Sequence, residues 1–195
     1  MKIKHYILIV FIFFLSTIVY AQSYKVFNPN NYTQSNSISS AKELILFIVD
    51  FSNSMNETIQ GTTKIELALK SISNILSRLP NDINIGLRVY GHKNSFNPIT
   101  SCTASELLVS PKQNAQQNII ASLYSTKATG WTPITYSLKQ AVNSDFINYP
   151  KSKKRIILLT GGGENCDESP CEYAMKLIQT RDVIFIVVIA FGLND

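Results

Sequence analysis

The stretch Leu44-Ile45-Leu46-Phe47-Ile48-Val49-Asp50-Phe51-Ser52-Asn53-Ser54 decides the fold. Its apolar half shows no alternation, the pattern of a strand covered on both faces in a parallel sheet. Its polar half places one carboxylate and two hydroxyls, from Asp50, Ser52 and Ser54, at every second position past the strand's end. Such oxygens are hard ligands of the kind Mg²⁺ or Ca²⁺ prefers. Farther on, a second apolar run, Ile156-Ile157-Leu158-Leu159, ends in Thr160-Gly161-Gly162-Gly163.

Helix and strand signals alternate around these two runs. Thr63-Lys64-Ile65-Glu66 has the form of a capping box, and Ile65, Ala68, Leu69, Ile72, Leu76 and Leu79 follow at helical spacing until Pro80. Residues 83–90 read as a strand, Leu107-Leu108-Val109 as a short apolar stretch, and Ala115, Ile119 and Leu123 as the stripe of a second helix. Thr132-Pro133 predicts an N-cap followed by proline at the first helical position, with Ile134, Leu138 and Ala141 facing inward. A helix carrying Ala174, Leu177 and Ile178 and the apolar run from Val183 to Phe191 complete the series. The alternation predicts an α/β fold, a Rossmann-like open and mostly parallel sheet with helices on both faces. Ligands of such sheets bind beyond the carboxyl ends of the strands, where Asp50, Thr132 and Gly161 all fall.

Residues 1–21 predict a signal peptide. Lys2 and Lys4 precede an uncharged run from Tyr6 to Tyr20, and Val19-Tyr20-Ala21 offers a cleavage site. The run is shorter than the roughly 20 residues of a spanning helix, so no membrane span is expected after cleavage. The protein is therefore expected in the periplasm, at the cell surface or secreted. Residues 22–42, rich in Ser, Asn, Gln and Tyr, read as a linker. Loss of Lys2 and Lys4 brings the formal net charge from +5 to +3. Lys151, Lys153, Lys154 and Arg155 form the one basic cluster, which reads as a solvated turn before a strand, and no nucleic-acid partner is expected.

Export implies an oxidising compartment where one disulfide persists. The spacing of Cys102, Cys166 and Cys171 leaves the pairing open. Cys166 and Cys171 would close a small loop, and Cys102 can take either. No histidine stands at a spacing that would support a zinc site. His92, just past a strand end, reads as a loop-packing residue. There is no Gly-x-Ser-x-Gly elbow, Walker loop or Cys-His pair, and no enzyme is expected.

Five spaced pieces occur in order on this α/β pattern: Asp50-Phe51-Ser52-Asn53-Ser54-Met55, Lys64-Ile65-Glu66, Tyr90-Gly91-His92, Gly130-Trp131-Thr132-Pro133 and Gly163-Glu164-Asn165-Cys166. With them, residues 43–195 resemble a von Willebrand factor type A domain of the secreted bacterial type. The resemblance implies a metal ion-dependent adhesion site. Asp50 would hold the ion mainly through water, and Ser52, Ser54 and Thr132 would coordinate it directly. The implied cofactor is Mg²⁺, or else Mn²⁺ or Ca²⁺, and the implied partner is a protein presenting an Asp or Glu. The family's second aspartate falls at Gly161, a change of the kind that costs about 10–100-fold in metal affinity. Weak binding is therefore expected. Glu164 and Asp167 are the nearby carboxylates that could substitute in part.

The family fold continues past the position of Phe191-Gly192-Leu193 with a helix, a strand and a final helix. The domain is thus expected to be C-terminally incomplete, with an open apolar edge on the strand at 183–191. The primary expectation is an exported, non-enzymatic binding module. One alternative is a vestigial or structural domain whose interactions do not need metal. A remoter one is a phosphate-handling enzyme using Gly161-Gly162-Gly163 as an anion nest.

Overall fold

Strand β1, Glu43–Asp50, is buried from Leu44 onward, as its unbroken apolar run predicts. A computed structural model describes residues 42–179 and 184–192, all within the unit that spans 39–195. The expected signal peptide, nearly all of the 22–42 linker and Val183 lie outside the described residues. After β1 come a 3₁₀ turn at Asn53–Asn56, the two-residue strands β2 (Thr58–Ile59) and β3 (Thr62–Thr63), and helix α1 (Lys64–Leu76). Then follow β4 (Asn84–Tyr90), α2 (Pro98–Cys102), β5 (Ser105–Lys112), α3 (Gln116–Ser125) and α4 (Ile134–Gln140). The last turn of α4 widens into a π-helix, Ala141–Asp145, and β6 (Lys153–Thr160), α5 (Pro170–Ile178) and β7 (Ile184–Ala190) complete the described chain.

The sheet runs β5-β4-β1-β6-β7, with β5 alone antiparallel. Central position explains why β1 needs apolar side chains on both faces. Ile45, Phe47 and Val49 join Ala68 and Ile72 of α1 and Ile119 and Leu123 of α3 in one core. Leu44, Leu46 and Ile48 join Ile134, Leu138 and Ala141 in the other. Each fully buried side chain of this size contributes about 1.5–3 kcal/mol. The capping box forms as the sequence predicts, with the Thr63 side chain accepting from the Glu66 N–H and the Glu66 carboxylate accepting from the Thr63 N–H.

Several expectations need correction. The basic cluster does not solvate a turn as a whole, because Lys153, Lys154 and Arg155 lie within β6 and Lys154 is buried. Arg155 instead reaches Glu43 of β1 at 2.9 Å. Ile178 is exposed, leaving Leu177 as the buried residue of α5. Pro133, not Thr132, holds the N-cap position of α4, and no side chain caps that helix. The short helix α2 had no apolar period to announce it. Among the described residues β7 is an outer strand, and its Phe185, Val187 and Val188 are exposed. No helix there is long and apolar enough to cross a membrane.

A buried ion pair ties β4 to the π-helical turn. Arg88 donates from Nε and Nη2 to the two Asp145 oxygens, each at 2.7 Å, and from Nη1 to Ser105 Oγ. Both side chains are almost entirely shielded from water. Asp145→Ala leaves the guanidinium uncompensated and is expected to lower stability by about 3–5 kcal/mol in urea denaturation. Replacing Arg88 and Asp145 together by apolar residues should recover much of that loss. Equal losses in the single and double variants would contradict this account.

Candidate functional site

At the carboxyl end of β1, Asp50 has no exposed surface. Its Oδ1 accepts the Ser52 N–H at 2.7 Å, and its Oδ2 accepts the Thr160 hydroxyl at 2.9 Å and the Gly161 N–H at 3.2 Å. The turn after β1 and the end of β6 are thus both fastened to one carboxylate. Ser52 is also buried, and its Oγ lies 3.0 Å from Ser54 Oγ. Ser52 holds the position before the 3₁₀ turn, but its side chain does not cap it. Oxygens bound about 2.0–2.1 Å from an octahedral Mg²⁺ stand about 3 Å apart on adjacent corners. The serine pair matches that spacing.

Thr132 is brought alongside by backbone stitching. The Thr129 N–H donates to Phe51 O, the Asn53 N–H to Gly130 O, and Ser52 and Gly130 form an isolated parallel bridge. This close approach requires glycine at two positions. Gly91, at φ 71°, would place a Cβ 2.6 Å from Ser52 N, and a Cβ on Gly130 would lie 2.3 Å from Lys93 O. Thr132 is buried, and its N–H is held by Asn165 Oδ1 at 2.7 Å. The structure therefore gathers Asp50, Ser52 and Ser54 at one point and fastens the loop of Thr132 to the same turn.

Gly161 contributes only its backbone. Its N–H serves Asp50, while its carbonyl accepts the Lys64 ammonium at 3.0 Å. Lys64 is itself buried and pairs with Glu57 at 2.7 Å. A Cβ at position 161 would lie 2.4 Å from Met55 Sδ, so any side chain there requires Met55 to move. Glu164 does not take the place of the absent carboxylate. Its oxygens accept the N–H groups of Thr135 at 2.7 Å and Cys166 at 3.2 Å, so it braces the start of α4. Asp167 is exposed. The Gly161 and Gly162 N–H groups point to Asp50 and to the Thr160 hydroxyl, leaving neither free for the anion nest of the phosphate-handling alternative.

The disulfide joins Cys102 at the end of α2 to Cys166, leaving Cys171 free and exposed. It anchors the segment that carries Glu164 and Asn165. Four contributors escaped the sequence pattern: Lys64, Tyr90, the bracing carboxylate of Glu164 and the loop clamp Asn165. All four stood within recognised pieces of sequence, but nothing there revealed their partners. Tyr90 is wholly buried, and its hydroxyl finds no hydrogen-bond partner of good geometry. Burial, reinforced by the Asp50 charge, pushes its phenol well above the ordinary value, so it stays neutral. An unpartnered buried hydroxyl costs about 1–3 kcal/mol.

Among the described residues no three His, Cys, Asp or Glu side chains cluster to hold a metal. A cation at this point would rest on one carboxylate and neutral hydroxyls, a donor set suited to a hard ion. The loop clamp is testable on its own. Asn165→Ala strands the Thr132 N–H and is expected to lower stability by about 1–3 kcal/mol in chemical denaturation. An unchanged midpoint would show that Thr132 is held without Asn165.

Comparison with known proteins identifies the fold. A family model described as the von Willebrand factor type A domain matches residues 45–164. The uncharacterized protein YwmC of Bacillus subtilis (strain 168) is 33% identical over 155 residues, covering 77% of this chain and 67% of that one. YwmD of the same organism is 29% identical over 154 residues, with 77% and 68% covered. Among solved structures, proximal thread matrix protein 1 from the mussel byssus, with a zinc occupied MIDAS motif, superposes with a TM-score of 0.59 at 20% identity. That match covers 79% of this chain but only 37% of the mussel chain. The manganese-loaded TRAP protein of Plasmodium vivax gives a TM-score of 0.57 at 22% identity, over 79% of this chain and 59% of that one. By its fold and by the match across more than half its length, this chain belongs to the von Willebrand factor type A domain family.

Proposed function

We propose that this domain is an exported, non-enzymatic binding module that engages an acidic group of a protein partner through a divalent cation. Residues 43–195 would form the module, after a signal peptide at 1–21 and a linker at 22–42. The observation that carries this reading is the Ser52–Ser54 oxygen pair, 3.0 Å apart beside the Asp50 carboxylate. Asp50, Ser52, Ser54 and Thr132 would hold Mg²⁺ or Mn²⁺, with Ca²⁺ a poorer match to so close an oxygen pair. When bound, the ion supplies a Lewis-acidic positive charge that one carboxylate does not neutralise. The uncompensated charge favours an Asp or Glu side chain from a partner protein. The disulfide supports residence in an oxidising compartment. The metal-loaded neighbours support a divalent ion in a fold of this kind.

Affinity should be low, because Gly161 adds no carboxylate and the Lys64 ammonium lies beside it. That same arrangement favours the second reading, a structural domain whose contacts need no metal. Titration calorimetry with Mg²⁺ and Mn²⁺ separates the two. Ser54 is only half-buried, so Ser54→Ala should hold stability within about 0.5 kcal/mol. It should also weaken ion binding at least tenfold, by analogy with losses of about 10–100-fold for supporting groups. Asp50→Asn should abolish binding. Folded wild-type protein that binds neither ion at millimolar concentration would refute the metal reading. Partner capture that survives EDTA would favour the structural one.

A further inference from the structure

Asp50 lies opposite Tyr90 in the parallel pairing of β1 with β4. The Tyr90 ring packs with Leu44, Leu46 and Ile48 on the α4 side of the sheet. The polar groups surrounding its hydroxyl are Asp50, Thr160 and Glu164. Asp50 and Thr160 stand within reach, yet neither gives it a hydrogen bond of good geometry. Thr135 presents a second buried hydroxyl without a partner, and its backbone N–H donates to that same Glu164. Tyr90 and Thr135 thus each carry a buried hydroxyl without a partner of good geometry.

A hydroxyl can donate one hydrogen bond and accept two. A hard ion such as Mg²⁺ keeps several waters, and their protons need acceptors. The Asp50 oxygens already accept from Ser52, Thr160 and Gly161, so their remaining capacity is limited. We infer that Tyr90 is a positioning residue of the cation site, its hydroxyl accepting from water on the ion. This inference rests on the metal-binding reading above. It gives the orphaned hydroxyl a partner only in the loaded protein. The stability effect of removing it therefore depends on whether metal is present, which a purely structural tyrosine would not show.

Tyr90→Phe keeps the ring and deletes the hydroxyl. The test compares Mn²⁺ affinity by calorimetry with thermal unfolding in EDTA and in saturating Mn²⁺. The variant is expected to unfold in EDTA at the wild-type temperature or above it. Its Mn²⁺ affinity should fall about tenfold, the low end for groups that orient metal ligands. Its Mn²⁺-induced rise in Tm should be smaller than that of the wild type. Unchanged Mn²⁺ affinity in the variant, beside normal binding by the wild type, would overturn the role of Tyr90 alone. A variant that unfolds earlier or fails to fold in EDTA would assign the hydroxyl a structural role and likewise overturn it. A wild type that binds no Mn²⁺ would remove the site reading and this inference together.

Discussion

A carboxylate withdrawn from water loses several kcal/mol of hydration unless nearby donors replace it. Asp50 has no exposed surface, and its replacement donors come from two separate parts of the chain. Ser52 N–H belongs to the turn that follows β1, while Thr160 Oγ1 and Gly161 N–H belong to the end of β6. Satisfying one buried charge therefore fixes the relative position of two segments around the site. It also turns the turn after β1 so that the Ser52 and Ser54 hydroxyls meet. Tyr90 stands opposite Asp50 in the pairing of β4 with β1.

The hydroxyls proposed as neutral ligands depend on a second constraint, the close packing of loops that carry no charge themselves. Glycine at 91 and 130 lets the Thr132 loop bond directly to the backbone at 51–53. Asn165 and Glu164 then hold the N–H groups of Thr132 and Thr135, and the Cys102–Cys166 bond anchors the segment that bears them. The arrangement is held in place by the protein's own bonds and offers little negative charge. Its oxygen donors suit a hard cation, and its charge deficit is the feature an acidic partner would answer. At position 161 the balance shifts further, because the nearby charged group is the Lys64 ammonium.

Local signals in the sequence carried the elements that local chemistry specifies. The unbroken apolar run announced β1 as a central strand, and Thr63 with Glu66 announced the start of α1. The order of the strands was sufficient to indicate an open, mostly parallel sheet. Thr132 was misplaced by one position as a helix cap because Ser/Thr-Pro is a strong start signal in isolation. Here the start of α4 is braced from a distance by Glu164, which removes the need for a side-chain cap. Asp145, the Gly161 carbonyl and Cys102 lie 57, 97 and 64 residues from their partners Arg88, Lys64 and Cys166. No periodicity links residues so far apart, and three cysteines admit more than one pairing. Tyr90 read as the end of a strand and the start of the Tyr90-Gly91-His92 piece, since an orphaned hydroxyl exists only once the fold surrounds it.

The central claim is that the Asp50, Ser52, Ser54 and Thr132 oxygens surround one cation position. Anomalous diffraction from crystals of the protein grown in Mn²⁺ addresses it most directly. The account predicts one strong peak in contact with Ser52 Oγ, Ser54 Oγ and Thr132 Oγ1, with Asp50 within reach through water. A peak elsewhere, or none at this position with Mn²⁺ in saturating excess, would contradict it.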